Sequence, residues 1–141
     1  MLDSRFVLDA WALVAMLQGE EPAARNVKDL LQQAQSDDTI QLFVSVVNLG
    51  EVYYIISRAK GADEAQESVD DLKKQPLTVI SATDARVMAA ARFKAAYPVS
   101  YADAFAAATS LELGATLVTG DPELVQLKEH LRLQELARTK R

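Results

Sequence analysis

Cysteine is absent from this 141-residue chain. That excludes a disulfide scaffold, a thiol nucleophile and any zinc site built on cysteine. It also removes any sign of an oxidising compartment, so a cytoplasmic location is expected. Histidine occurs once, at His130, with no serine motif around it. A nucleophile–base pair is therefore poorly supported, and His130 reads as a solvated helix residue. With five glycines and four prolines there is no Pro/Gly/Ser-rich linker, and neither a repeat nor a low-complexity tract is found. Length alone then predicts one domain over residues 1–141, with a mobile basic tail from about residue 137. The longest unbroken apolar run, residues 10–17, falls well short of the ~20 residues a membrane span needs. The stretch between Asp3 and Asp9 is too short and too acidic for a signal peptide, so no membrane association is expected. An excess of basic charge is missing too: 15 Lys and Arg face 20 Asp and Glu, a net charge of −5. A domain that grips nucleic acid by its phosphates alone is usually basic. Any phosphate-bearing substrate must here be held by a local patch or through bound cations.

Half of the residues are apolar and a quarter charged, the profile of an ordinary globule and not of a disordered chain. Short β-branched runs alternate with long helical patterns. Residues 5–8 read as a first strand, followed by a helix over residues 10–17 and a second helix after Pro22, in whose first turn proline fits. Residues 41–47 form the best strand candidate. The helix after them keeps a period near 3.6 until Gly61 closes it. A more polar helix covers residues 62–74, a third strand 77–80, and Thr83 caps a helix running to about residue 96. An Ala-rich helix over residues 100–113 ends at Gly114, a fourth strand covers 115–119, a helix starts at Pro122, and residues 131–136 read as a fifth, edge strand. This alternation predicts an α/β fold of βαβ units, a three-layer α/β/α sandwich with a mostly parallel sheet of about five strands. Ligands of such sheets bind beyond the carboxyl ends of the strands.

Four acids fall at that edge. Asp9 follows the first strand, Glu51 is placed in the first turn of the helix after the second, and Asp121 stands just after the fourth. Asp103 lies in the first turn of the 100–113 helix, which antiparallel packing would set beside the end of the fourth strand. Each has a simpler reading as a helix cap: Asp9 and Asp121 as N-caps, Asn48-x-x-Glu51 and Ser100-x-x-Asp103 as capping boxes. Capping does not explain why Asp103 is embedded in Tyr101-Ala102-Asp103-Ala104-Phe105-Ala106, because a buried carboxylate requires a partner. If the four meet, one or two hard divalent cations such as Mg²⁺ or Mn²⁺ would offset their repulsion. Those ions would also attract a phosphodiester to an acidic protein and activate water against it.

The segments Val7-Leu8-Asp9-Ala10-Trp11, Val47-Asn48-Leu49-Gly50-Glu51, Ser100-Tyr101-Ala102-Asp103 and Val118-Thr119-Gly120-Asp121 occur in this order over nearly the whole chain. Together they resemble the PIN-domain ribonucleases, and most of all the small single-domain toxins of the VapC kind. The resemblance implies Mg²⁺- or Mn²⁺-dependent endonucleolytic cleavage of RNA, a cognate antitoxin and a homodimer. It assigns Asp9, Glu51, Asp103 and Asp121 to the catalytic, metal-holding cluster, with Thr119 and Asn48 in support. Where many relatives carry a hydroxyl shortly after the first Asp, Ala10, Trp11 and Ala12 supply none.

Two readings are open for Trp11, the only tryptophan: a nucleobase stacks on it, or it packs in the core. Tyr53 and Tyr54 point to different sides of their helix, and one is available to a partner subunit. Arg5, Arg58, Lys60, Arg86, Arg92 and Lys94 are candidate phosphate contacts or solvated charges. The alternative to a toxin nuclease is a catalytically silent module of the same fold that binds RNA or protein. An aspartyl-phosphate phosphatase using Asp9 is disfavoured, because Trp11 occupies the place its second acid would take.

Overall fold

The computed structural model describes residues 4–138; Thr139, Lys140 and Arg141 of the expected tail, and Asp3, lie outside them. The elements run β1 (Arg5–Leu8), α1 (Ala10–Leu17), α2 (Ala23–Ser36), β2 (Gln41–Ser45), α3 (Val46–Lys60) and α4 (Ala62–Lys73). They continue with β3 (Thr78–Ile80), α5 (Asp84–Ala96), α6 (Tyr101–Leu113), β4 (Thr116–Thr119), α7 (Pro122–Val125) and β5 (Leu133–Glu135). The five strands form one sheet in the order β3-β2-β1-β4-β5, and every pairing is parallel. The expected mostly parallel sheet is thus wholly parallel.

Successive strand residues face opposite sides of a sheet, and here the two sides carry two cores. Leu8, Leu42, Val44 and Val118 pack with α1 to α4. Val7 and Leu117 pack with Ala90 and Phe93 of α5, Ala104 to Ala107 of α6, and Leu124 of α7. The result is the expected three-layer sandwich. Each fully buried leucine, such as Leu8, Leu13 or Leu117, contributes roughly 1.5–3 kcal/mol by leaving water. Gly114 ends α6 in the left-handed region, at φ 59° and ψ 38°, where a side chain would be strained. Among the described residues no helix is long and apolar enough to cross a membrane.

Some boundaries differ from expectation. The second strand ends at Ser45 instead of Val47, because the Ser45 hydroxyl accepts a 3.2 Å hydrogen bond from Val47 N and caps α3. A cap satisfies an otherwise orphaned N–H, and that outweighs the strand preference of Val46 and Val47. Pro22 stands at the N-cap of α2 and not inside it. The helix at Pro122 is a single turn, and His130 lies in the turns beyond it, exposed, with its ring 4.9 Å from that of Tyr97.

Candidate active site

The parallel sheet aligns the carboxyl ends of β1, β2 and β4, and the chain leaves each of them through a capped turn. Asp9 caps α1: its Oδ1 accepts from Ala12 N at 2.9 Å, and its Oδ2 accepts from the Thr119 hydroxyl. The same Thr119 oxygen accepts from Asp121 N at 3.0 Å. Thr119 is fully buried and thus locks the end of β4 to the end of β1, two strands already in register at Leu8 and Val118. Asp121 caps α7 by accepting from Glu123 N at 2.9 Å. Capping and clustering are therefore not alternatives for Asp9 and Asp121; each carboxylate caps its helix at the edge where the acids meet.

Asp103 sits in the first turn of α6, whose N-cap Ser100 accepts from Asp103 N at 3.1 Å. Antiparallel packing brings it to the end of β4: one carboxylate oxygen from each of Asp103, Asp121 and Glu123 lies within 4.8 Å of the others. Glu51 is displaced from its expected place. Because α3 starts at Val46, Glu51 falls in the second turn and Asn48 is an interior residue, not a cap. Asn48 is fully buried and donates through Nδ2 to Glu51 Oε1 at 3.2 Å and to Ala102 O at 3.0 Å. It therefore orients Glu51 while tying α3 to α6 one residue before Asp103. Its Oδ1 is buried without a hydrogen-bond partner among the described residues, a costly arrangement away from a ligand site.

Electrostatics bind the set together. Burial pushes the Asp9 carboxyl up to about 7; hydrogen bonds from Thr119 and Ala12 oppose the shift, and Asp121 and Glu51 add repulsion. Burial likewise raises Asp103 to about 8, reinforced by Asp121, by a hydrogen bond shared with Glu123 and by Asp9, and opposed by Ser100. Glu51 moves up by burial, with Asn48 opposing and Asp121 adding. Asp121 acts on all three, so the four expected acids share one electrostatic neighbourhood. Glu123 joins them and was not anticipated, since an acid in a helix's first turn reads as a complement to the helix dipole. The only hint was its position two residues after Asp121.

Five of the six basic candidates are engaged elsewhere. Arg86 pairs with Glu112 at 3.1 Å and Lys94 donates to Val99 O at 2.8 Å. Lys60 pairs with Glu64 at 3.5 Å, Arg58 lies 5.0 Å from the Tyr54 ring centre, and Arg5 donates to Leu113 O from the opposite end of β1. Arg92 is exposed on α5. Trp11 packs against the core, half-buried, and its ring covers Gly120: a Cβ there would lie 2.5 Å from two ring carbons. The ring therefore braces the turn that carries Asp121.

The donor set is all oxygen and mostly carboxylate, which suits a hard divalent ion and no soft one. Asp103, Asp121 and Glu123 bring oxygens close enough together to share one; Asp9 and Glu51 are coupled to this group through Asp121.

The sequence matches the PIN domain over residues 6–129. No curated protein matches it. Among solved structures, VapBC2 from Rickettsia felis bound to a promoter DNA fragment is 18% identical with a TM-score of 0.70, covering 94% of this chain and 99% of that one. DNA-bound VapBC from Salmonella typhimurium is 16% identical with a TM-score of 0.69, over 96% and 98% of the two chains. VapC20 of Mycobacterium tuberculosis, described as a Sarcin-Ricin loop cleaving toxin, is 15% identical with a TM-score of 0.69, over 86% and 93%. These likenesses show a shared fold, and with the match spanning most of its length the chain belongs to the PIN-domain family.

Proposed function

We propose that the chain is a divalent-metal-dependent endoribonuclease that hydrolyses RNA phosphodiester bonds, as the toxin of a toxin–antitoxin pair in the cytoplasm. One observation carries this reading: acids from β1, α3, α6 and the β4–α7 turn crowd one edge of the sheet so closely that burial and mutual repulsion raise Asp9, Glu51 and Asp103 together. Membership of the PIN-domain family supports it, as do neighbours named as VapBC complexes and as a Sarcin-Ricin loop cleaving toxin. The same neighbours support an antitoxin chain as partner; a homodimer remains the expectation for the chain's own assembly.

When bound, Mg²⁺ or Mn²⁺ supplies Lewis acidity and offsets the charge of acids and phosphodiester. The chain's own residues prepare the place. Asp9, held through both oxygens, presents a fixed carboxylate beside Asp121. Thr119 sets the distance between those two acids through its paired hydrogen bonds. Asn48 turns Glu51 toward the cluster and fixes the start of α6 behind Asp103. Orientation of this kind, not covalent attachment, is what hydrolysis by water requires: the P–O bond to one ribose breaks as the water oxygen joins phosphorus.

RNA cleavage stimulated by Mn²⁺ or Mg²⁺, and abolished by Asp9→Asn or Asp103→Asn with an unchanged circular dichroism spectrum, is the expected result. Full cleavage in EDTA, or by those variants, would overturn the metal-dependent reading; binding of RNA without cleavage, and without Mn²⁺ uptake by calorimetry, would favour the silent binding module.

A further inference from the structure

A second feature opens beside the acids. Trp11, Val14, Ala15, Gln18, Glu20 and Ile55 enclose a cavity of about 220 Å³ between α1 and α3. Its walls are tied to the acidic edge at three points. Trp11 follows Asp9 by two residues on α1. Ile55 stands one turn beyond Glu51 on the same face of α3, at the i, i+4 spacing that makes helix side chains neighbours. The Trp11 ring lies against Gly120, the residue before Asp121.

The chemistry of the cavity is specific in kind. One wall is the flat indole, held against the Gly120 backbone; the others are the aliphatic Val14, Ala15 and Ile55. The lining also includes an amide, Gln18, and a carboxylate, Glu20. A cavity of this volume, lined by one aromatic ring and by aliphatic side chains, has room for one planar heterocycle. Gln18 can donate to or accept from its edge, and Glu20 accepts only, so it selects for ring or exocyclic N–H groups. We infer that this cavity is a nucleobase subsite, in which an unpaired base flanking the scissile phosphate stacks on Trp11 and is read by Gln18 and Glu20. The inference rests on the nuclease reading for its substrate and goes beyond it in assigning a recognition site. It gives the chain a sequence preference at one nucleotide, and it makes the substrate single-stranded at that position, since a paired base cannot enter.

Trp11 is the only tryptophan, so its indole N–H gives one side-chain resonance that reports on this wall alone. Titration of the metal-free protein with guanosine, adenosine, cytidine and uridine, with ribose as the baseless control, tests the subsite without any turnover. Saturable shifts of the indole resonance with nucleosides, and none with ribose, are expected. Base stacking of this kind is worth roughly fivefold to a hundredfold in affinity. Glu20→Gln is expected to change the order of preference among the bases, because an amide also donates. In parallel, a single abasic nucleotide walked along a cleaved RNA should raise KM at one position adjacent to the cut. An indole resonance unmoved by nucleosides, or moved equally by ribose, would overturn the subsite even if RNA is cut. Saturable nucleoside binding in a protein that cleaves no RNA would instead leave the subsite standing and remove the nuclease reading.

Discussion

Gly120→Ala is the sharpest perturbation of the turn that presents Asp121. The new Cβ would lie 2.5 Å from Trp11 Cη2 and Cζ3 and 2.8 Å from Cε3, whereas carbon atoms in contact settle at about 3.5–4.0 Å. The shortfall of about 1 Å cannot be absorbed in place. Trp11 is rooted in α1, whose first turn Asp9 holds, and Gly120 is buried between β4 and the α7 cap. Overpacking costs typically about 1–3 kcal/mol. The ring borders a cavity toward which it can tilt, which places this case near the lower end, about 1–2 kcal/mol. For a chain of this length that is a fall in Tm on the order of 3–8 °C. The assay is a double-mutant cycle by urea denaturation. In a Trp11→Leu background the alanine should cost under about 0.5 kcal/mol, leaving a coupling of about 1 kcal/mol. Cleavage by Gly120→Ala should fall roughly 100-fold, since small misplacements of a reacting group cost that much. Equal costs in both backgrounds would refute the contact between ring and turn.

Three further outcomes follow from the same site. Thr119→Val keeps the shape but removes the bonds to Asp9 and from Asp121 N; the expected cost is about 1–3 kcal/mol in denaturation, with Mn²⁺ affinity lowered roughly 10- to 100-fold by calorimetry. The Asp9 carboxyl is raised to about 7 in the folded protein against about 3.9 unfolded, so the native state binds more protons between those values. Asp103, raised to about 8, adds to the same trend, so stability without metal should fall as pH rises from about 4 to about 8 and level off above; saturating Mn²⁺ should flatten that slope in thermal melts, and an unaltered slope would contradict a cation at these acids. Glu123→Gln replaces one of the three carboxylates crowded together with Asp103 and Asp121 by a neutral amide, so it should raise the melting temperature of the metal-free protein while weakening Mn²⁺ binding; a lower melting temperature would show that Glu123 is not repelled there.

Much of this site is legible in the chain because its acids follow strand ends, and strand ends in a parallel sheet share one edge. Asp9 and Asp121 fall there by position alone. Asp103 required the further step that α6 packs antiparallel on β4, and its apolar surroundings signalled burial. What was hidden depended on competition between local signals. Val46 and Val47 favour a strand, yet the Ser45 cap turns the chain into a helix there, which moves Glu51 one turn along and converts Asn48 from a cap into a buried strut. Glu123 was masked because the first turn of a helix attracts acids whether or not a site is near. The contact between Trp11 and Gly120 joins residues far apart in sequence through space alone, and no spacing rule reaches it.

A structure determined from crystals grown with Mn²⁺ tests the central claim most directly. Anomalous density among Asp9, Asp103 and Asp121, with Glu51 or Glu123 nearby, is the predicted result. A protein that cuts RNA while Mn²⁺ leaves those oxygens bare, or gathers at another face, would contradict the account.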